Sequence, residues 1–399
     1  MIPSANPAAF PDCLRRFAAF GAATVEFEQQ GIRYFVNEYW TAEQRRSHSL
    51  HEVSYRACFK AQLPEFFIER LTVAGDTVYD PFSGRGTTAV QAALMRRRPV
   101  ANDINPLTAM LVAPRLAPPG LAALRDRLEE IPPVDTPDAD EPELTVFYHP
   151  ETLRRIRGLR AWLLERSLSG QLDAADAWIR MVAINRLTGH SPGFFSVYTL
   201  PPNQAVSIVS QRKINAARDQ VPPPRDVARI ILKKTKSLLS DGLPPEHPPA
   251  LLMTGEASST PMLRDCAVDL LVTSPPFLDI VDYEGDNWLR CWFAGIDPSS
   301  VRIARHGGIP AWEAFVRDSF AEFARVVRPG GFIGFEVGEV RGGKVLLERN
   351  AVAAIKGLPF EVPGVMVNQQ EFTKTANCWG VGNNSKGTNT NRIVLVQRV

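Results

Sequence analysis

Thr77-Val78-Tyr79-Asp80-Pro81-Phe82-Ser83-Gly84-Arg85-Gly86-Thr87-Thr88 sets the fold class of this 399-residue chain. Thr77 to Asp80 is a short β-prone run ending in Asp-Pro, and residues from Thr87 to Arg98 carry a helical pattern. Between them, Gly84 and Gly86 permit positive φ and let the backbone approach a ligand without a Cβ clash. Val100-Ala101-Asn102-Asp103 follows as a second strand. Strand, glycine turn, helix and strand ending in an acid open a doubly wound α/β sheet, and an acid about 20 residues beyond the turn is placed to accept both ribose hydroxyls of a nucleoside. The turn and Asp103 by themselves would equally serve a dinucleotide-dependent oxidoreductase, and a lone G-x-G is also an ordinary tight turn.

Beyond this unit the pattern stops. Ala113 to Glu143 is rich in proline and then in acids, notably over 132–143, and reads as a solvated linker with a boundary. Pro150 then precedes a helix in which Leu153, Ile156, Leu159 and Leu163 share a face while Arg154, Arg155 and Arg157 project around it. A further helix is expected near Leu172 to Leu187, an uncharged loop from Ser191 to Ser210, and a helix from Arg225 to Leu239 bearing Arg225, Arg229, Lys233, Lys234 and Lys236. Sheet-like sequence resumes at Asp269 to Thr273. After a helix from Trp312 to Val327 it returns at Gly331 to Val337, and then at Gly364 to Asn368 and Ile393 to Val396 around a polar loop from Thr373 to Asn391.

With 45% hydrophobic residues the chain can bury a full core, and its formal charge of +2 argues neither for nor against nucleic acid. The distribution is more telling, because residues 151–240 hold 15 Lys and Arg against 6 Asp and Glu. Cys13, Cys58, Cys266, Cys291 and Cys378 are scattered without a C-x-x-C pair, so neither a metal site nor a disulfide framework is expected and a reducing, cytoplasmic setting fits. Met1 to Gly21 lacks a basic start followed by a long apolar run, and no stretch reaches about 18 consecutive apolar residues, so no export signal or membrane anchor is expected.

Thr273-Ser274-Pro275-Pro276-Phe277 follows a buried strand, and its two prolines stiffen a loop at the carboxyl edge of the sheet. An exocyclic amine on cytosine or adenine has its lone pair delocalised into the ring, and becomes nucleophilic only when hydrogen-bond acceptors draw the nitrogen toward tetrahedral geometry. The Ser274 hydroxyl and the Pro275 carbonyl are such acceptors, Pro276 contributes no competing N–H, and Phe277 can stack on an extruded base. The bland reading is a strand terminated by Pro-Pro-Phe.

Asp80 to Thr88 resembles the cofactor motif D-P-F-x-G-x-G-T of amino-methylating DNA methyltransferases, and the pentad resembles their S-P-P-[YF] catalytic motif, associated mainly with cytosine N4. The resemblance implies an α/β fold, a Rossmann-like methyltransferase sheet with a mainly helical basic insertion. It implies S-adenosylmethionine as cofactor, with Asp80 toward the methionine ammonium, Pro81, Phe82, Gly84, Gly86 and Thr87 forming the cradle, and Asp103 on the ribose. Ser54 to Pro64, with Phe59, is similar to the segment that holds the methionine moiety, and Gly255-Glu256-Ala257 to a G-D segment near the adenine, with Glu in place of Asp. Residues 1–115 are then the cofactor half, 116–250 the linker and insertion, and 251–399 the catalytic half.

By the same resemblance the insertion is a target-recognition region in which Arg154, Arg155, Lys233 and Lys234 contact duplex DNA with a flipped base, and Lys374 and Trp379 of the polar loop lie near that base. A solvated helical face is the competing reading. The uncharged aromatic run His190 to Tyr198 contacts DNA, closes over the pocket or belongs to the core. A restriction–modification setting with a cognate endonuclease follows from the family, and no membrane partner does. An adenine N6 enzyme, an RNA N-methyltransferase and a non-catalytic DNA-binding relative remain open, whereas a C5-cytosine enzyme would need a nucleophilic cysteine, typically after proline, and no Pro-Cys dipeptide exists.

Overall fold

The computed structural model describes residues 10–41, 47–56, 58–138, 141–200, 202, 204–277, 282–301, 303, 307–340, 345–373 and 386–399. The chain begins with α1 (Phe10–Arg15), the hairpin β1 (Val25–Gln29) and β2 (Ile32–Asn37), and α2 (Gln62–Leu71). The unit β3 (Thr77–Asp80), α3 (Thr87–Leu94), β4 (Arg98–Asp103) and α4 (Leu107–Leu116) follows. Five helices come next: α5 (Leu121–Glu130), α6 (Pro150–Leu168), α7 (Ala174–Ile184), α8 (Ile208–Ala217) and α9 (Val227–Leu238). The sheet resumes with β5 (Leu251–Thr254), β6 (Val268–Thr273), α10 (Tyr283–Ala294), α11 (Ile309–Val326) and β7 (Val327–Val337). A small pair, β8 (Glu339–Val340) and β9 (Val345–Leu346), precedes α12 (Leu347–Ala354) and the long hairpin β10 (Phe360–Thr373) and β11 (Lys386–Arg398).

One nine-stranded sheet runs in the order β1-β2-β10-β11-β7-β6-β3-β4-β5. Strands β3 to β7 are mutually parallel, β11 lies antiparallel between β7 and β10, and β2 adds parallel to the outer side of β10. This is the expected doubly wound, Rossmann-like sheet. Its central strands read as apolar runs because both faces are covered. Val78, Leu270 and Val272 pack on the face carrying α1 and α2, while the alternate residues Tyr79 and Leu271 pack on the face carrying α11 and α12. Strand order reverses at β3, which pairs with β4 on one side and β6 on the other, so the carboxyl ends of β3 and β6 bound the crevice where such sheets bind ligands.

The linker expectation for Ala113 to Glu143 is corrected. Ala113 to Leu116 finish α4, and Leu121 to Glu130 form α5, whose Leu124 and Leu128 are buried in a core shared by α3, α4, α6, α7, α9 and α10. Asp135, Asp138 and Glu141 beyond it lie along α6, the first two still exposed to water. A Cβ on Gly158 would come within 2.0 Å of the Pro132 carbonyl oxygen, so the two backbones touch. Three acids spaced three apart, Asp135, Asp138 and Glu141, pair with three arginines spaced three apart, Arg154, Arg160 and Arg157 respectively. Composition alone suggested a linker because it does not register that the acids have partners.

The uncharged 191–210 segment is also more structured than expected. Phe194, Phe195 and Val197 are buried, so the aromatic run His190 to Tyr198 contributes to the core, and Ile208 already starts α8. The helix at Thr87 ends at Leu94 rather than Arg98, because Arg98 opens β4. None of the described helices is long and apolar enough to cross a membrane.

Gly86 sits at the N-cap of α3 with φ +78, and a Cβ there would lie 2.1 Å from Val112 Cγ2 of α4. Both the left-handed backbone and the contact exclude a side chain. Gly86→Ala is therefore expected to cost about 2–4 kcal/mol of stability, read as a lowered denaturant midpoint with an unchanged m-value.

Candidate active site

A cavity of about 510 Å³ opens at the carboxyl ends of β3, β4, β5 and β6. The turn after β3 supplies Pro81, Phe82, Gly84 and Thr87, the end of β4 supplies Asp103, and Phe59 closes the near side. Gly255 to Ser258 after β5, and Ser274 and Pro276 after β6, complete the rim, with α11 as the far wall. Six of the eight residues expected to hold the cofactor thus share one cavity. Gly86 does not line it, because its place is against α4.

Asp80 is not on the wall either. It is fully buried, and its Oδ1 accepts hydrogen bonds from the Thr273 hydroxyl at 2.5 Å and the Phe82 N–H at 3.1 Å. Its Oδ2 is buried with no hydrogen-bond partner among the described residues. Burial pushes the carboxyl up to about 7. Together with the Thr88 hydroxyl, which donates to the Val272 carbonyl at 3.1 Å, Asp80 ties the glycine turn to the end of β6. The cofactor turn and the pentad loop are therefore one mechanical unit.

Asp103 accepts from the Gly84 N–H at 2.7 Å and from the Asn105 N–H at 2.9 Å, which fixes the carboxylate at the mouth of the turn. Burial raises its pKa against the pull of those two donors. Arg85 points away from the cavity and donates to the carbonyls of Val53 at 2.9 Å and Phe59 at 3.2 Å, docking the 53–59 segment onto the turn. Cys58 also lines the cavity, and burial pushes its thiol up, which is the wrong direction for a nucleophile.

In the pentad, Ser274 and Pro276 face the cavity, Pro275 is buried, and Phe277 packs so closely on Gly338 that a Cβ there would lie 2.9 Å from its ring. The Trp312 indole N–H donates to the Pro276 carbonyl at 2.9 Å, so α11 holds the loop. Behind the loop, the buried Glu336 of β7 accepts from the Asn391 amide at 2.5 Å, with the Ser274 hydroxyl beside it as a second group able to donate. Burial pushes this carboxyl up to about 7, while both donors pull it down.

Sequence reasoning missed Glu336, Asn391 and Trp312. One signal was visible: Glu336 is the lone charge in the apolar run Phe332 to Val337. Trp312 read only as a helix start and Asn391 only as the end of a polar loop.

The residues expected to contact DNA are spread out. Arg154 pairs with Asp135, and Lys234 lies 3.1 Å from Glu52, whereas Arg155 and Lys233 are exposed. None of the four lines the cavity. Lys374 and Trp379 fall outside the described residues. The basic insertion is thus partly neutralised by acids of the same chain.

A Rossmann-like sheet with a nucleoside-sized cavity at its switch point defines the class. Residues 26–110 match the family model for N6/N4 methyltransferases, described as DNA methylase. Over 291 residues the chain is 22% identical to the Type II methyltransferase M.BsoBI of Geobacillus stearothermophilus, covering 65% of this chain and 55% of that protein. Over 76 residues it is 34% identical to the Type II methyltransferase M.MjaII of Methanocaldococcus jannaschii, covering 19% of this chain and 14% of that one. The chain thus spans about half the length of the first of these relatives and less of the second. Among solved structures, TrmN from Thermus thermophilus aligns with a TM-score of 0.34 at 11% identity, over 89% of this chain and 53% of that one. Over residues 26–110 the chain is thus similar to the amino-methylating DNA methylase family.

The cofactor of that family is S-adenosylmethionine, and the residues present fit it. Asp103 offers a carboxylate that would suit ribose hydroxyls, Glu256 and Ala257 line the same cavity, and the buried Asp80 Oδ2, which has no hydrogen-bond partner among the described residues, would favour an ammonium nearby.

Proposed function

We propose that the chain is an S-adenosylmethionine-dependent DNA methyltransferase acting on an exocyclic base amine, cytosine N4 in the first instance. The observation that carries this reading is the shared cavity of Asp103 and Ser274; beside Ser274 stands the buried Glu336, to which we assign the Ser274 hydroxyl proton. A serine hydroxyl is a weaker acceptor than a carboxylate. Once it donates to Glu336, however, its lone pairs are committed to the cavity side and it acts on the amine as an acceptor.

S-adenosylmethionine, when bound, supplies a methyl group activated by the sulfonium. The residues of the chain position the amine. Ser274 accepts one N–H, and the proline-stiffened backbone, braced by Phe277 packed on Gly338, keeps that oxygen fixed. As the nitrogen gains its new bond it must lose a proton, and the Ser274–Glu336 pair provides a path to a carboxylate that titrates near 7. The S-P-P-F form favours cytosine, and the relatives' description as Type II methyltransferases favours duplex DNA and a cognate restriction endonuclease as partners.

Labelled methyl groups are expected to transfer to varied duplex DNA and not to RNA of the same base composition; transfer to RNA alone would sink this reading. Trp312→Phe, which leaves the Pro276 carbonyl without its donor, is expected to slow single-turnover transfer about tenfold with cofactor affinity unchanged.

A further inference from the structure

Tyr55 is shared by two cavities. Besides the cofactor site it lines a second, open pocket of about 410 Å³, bordered by Glu52, Arg85, Arg186, Pro202 and Lys234. Three cations and one carboxylate face this space. Lys234 is largely covered, and its partner Glu52 is 58% exposed, so that pair leaves most of the carboxylate in water. Arg186 lies over the Phe194 ring at 4.1 Å and donates only Nε, to the Asn185 carbonyl at 2.7 Å; among the described residues it has no carboxylate partner. Arg85 is likewise satisfied by carbonyls and one hydroxyl rather than by an acid.

Charge behind the wall has the same sign. Arg115 is fully buried and donates to the carbonyls of Leu50, Leu111 and Arg85, again without a carboxylate among the described residues. Burial pushes Arg186 down to about 10 and lowers Lys234, so these cations are short of solvation. A concave surface with excess positive charge and low-dielectric walls focuses its field outward and attracts anions. The guanidinium of Arg186 lies over the Phe194 ring and lines the pocket, and its planar fork of donors is suited to phosphate oxygens.

We propose that this pocket is a phosphate-binding site that takes a backbone phosphate of the nucleic-acid substrate, with Arg186 and Lys234 as its ligating cations. The proposal rests on the reading of the chain as a DNA methyltransferase. The open mouth suits a phosphate that belongs to a polymer, and Tyr55 places the pocket next to the cavity where the methyl group is supplied. Lys234 was expected from the sequence to contact DNA, whereas Arg186 was not.

The test uses the full chain with Arg186→Gln, Lys234→Gln and the charge-conserving Arg186→Lys, each checked by thermal unfolding. Affinity for a short duplex is measured across a salt series, and cofactor affinity and inorganic phosphate binding are measured alongside. Each neutralising variant is expected to weaken duplex binding evenly across sequences and to reduce the salt slope by about 0.9, with cofactor affinity unchanged and Arg186→Lys close to wild type in slope. Folded variants with the wild-type slope and affinity would overturn the pocket assignment alone. A wild-type chain that binds no duplex, yet binds inorganic phosphate in an Arg186-dependent way, would overturn the substrate reading and give the pocket to a small phosphate ligand.

Discussion

Ser274→Ala is expected to lower kcat by a factor of about 10²–10³ while leaving cofactor affinity unchanged, because it removes an acceptor needed as the amine becomes tetrahedral. The half-buried Ser274 side chain is not a packing element, and the neighbouring Asp80–Thr273 and Trp312–Pro276 hydrogen bonds hold the loop without it. Stability should therefore change little. Ser274→Asp is the sharper variant. It introduces a stronger acceptor, but places a second carboxylate against Glu336, and two such groups cannot both ionise easily. Single-turnover rates should show Ser274→Asp impaired and the double variant Ser274→Asp with Glu336→Gln recovering much of the loss. A double variant no better than the single one would deny the coupling.

Glu336→Gln is expected to remove the acid limb of the pH–rate profile. In the wild-type chain the carboxyl titrates at about 7, so kcat should fall roughly tenfold per pH unit below that value as Glu336 takes a proton and can no longer receive one from Ser274. The variant should be slower by about 10–10² at pH 8 and nearly flat with pH. Stability runs the other way. A carboxyl whose pKa is raised in the folded state stabilises the fold below its unfolded value of 4.5, and that contribution is lost as pH rises through about 7. Glu336→Gln should therefore be more stable than wild type at pH 8 while being less active. A purely structural role would move both in the same direction, so denaturant midpoints and rates measured on the same samples separate the two.

The sheet was legible because its signals are local. A strand, glycine turn, helix and acid-terminated strand from Thr77 to Asp103 are adjacent in sequence, and so are the five residues of the pentad. Helix spans in the insertion were legible from apolar spacing, as at Leu153, Ile156, Leu159 and Leu163. What could not be read depended on contacts across the chain. Asp135, Asp138 and Glu141 looked unpaired because their arginines stand on the next helix, and Gly86 looked like a ligand contact because Val112 is on another element. Asp80 sits beneath the cavity rather than on its wall because Thr273, far away in sequence, holds it there. Trp312 holds the pentad, Glu336 stands behind it and Asn391 holds Glu336, from three separate elements, and no spacing within the chain announces that.

The most direct test digests duplex DNA to nucleosides after incubation with the chain and S-adenosylmethionine, then identifies the product by mass. The predicted result is N4-methylcytosine with the wild-type chain and none with Ser274→Ala. N6-methyladenine as the sole product would contradict the choice of base, and no methylated DNA nucleoside from any duplex would contradict the assignment of Ser274 to Phe277 as a methyl-transfer site.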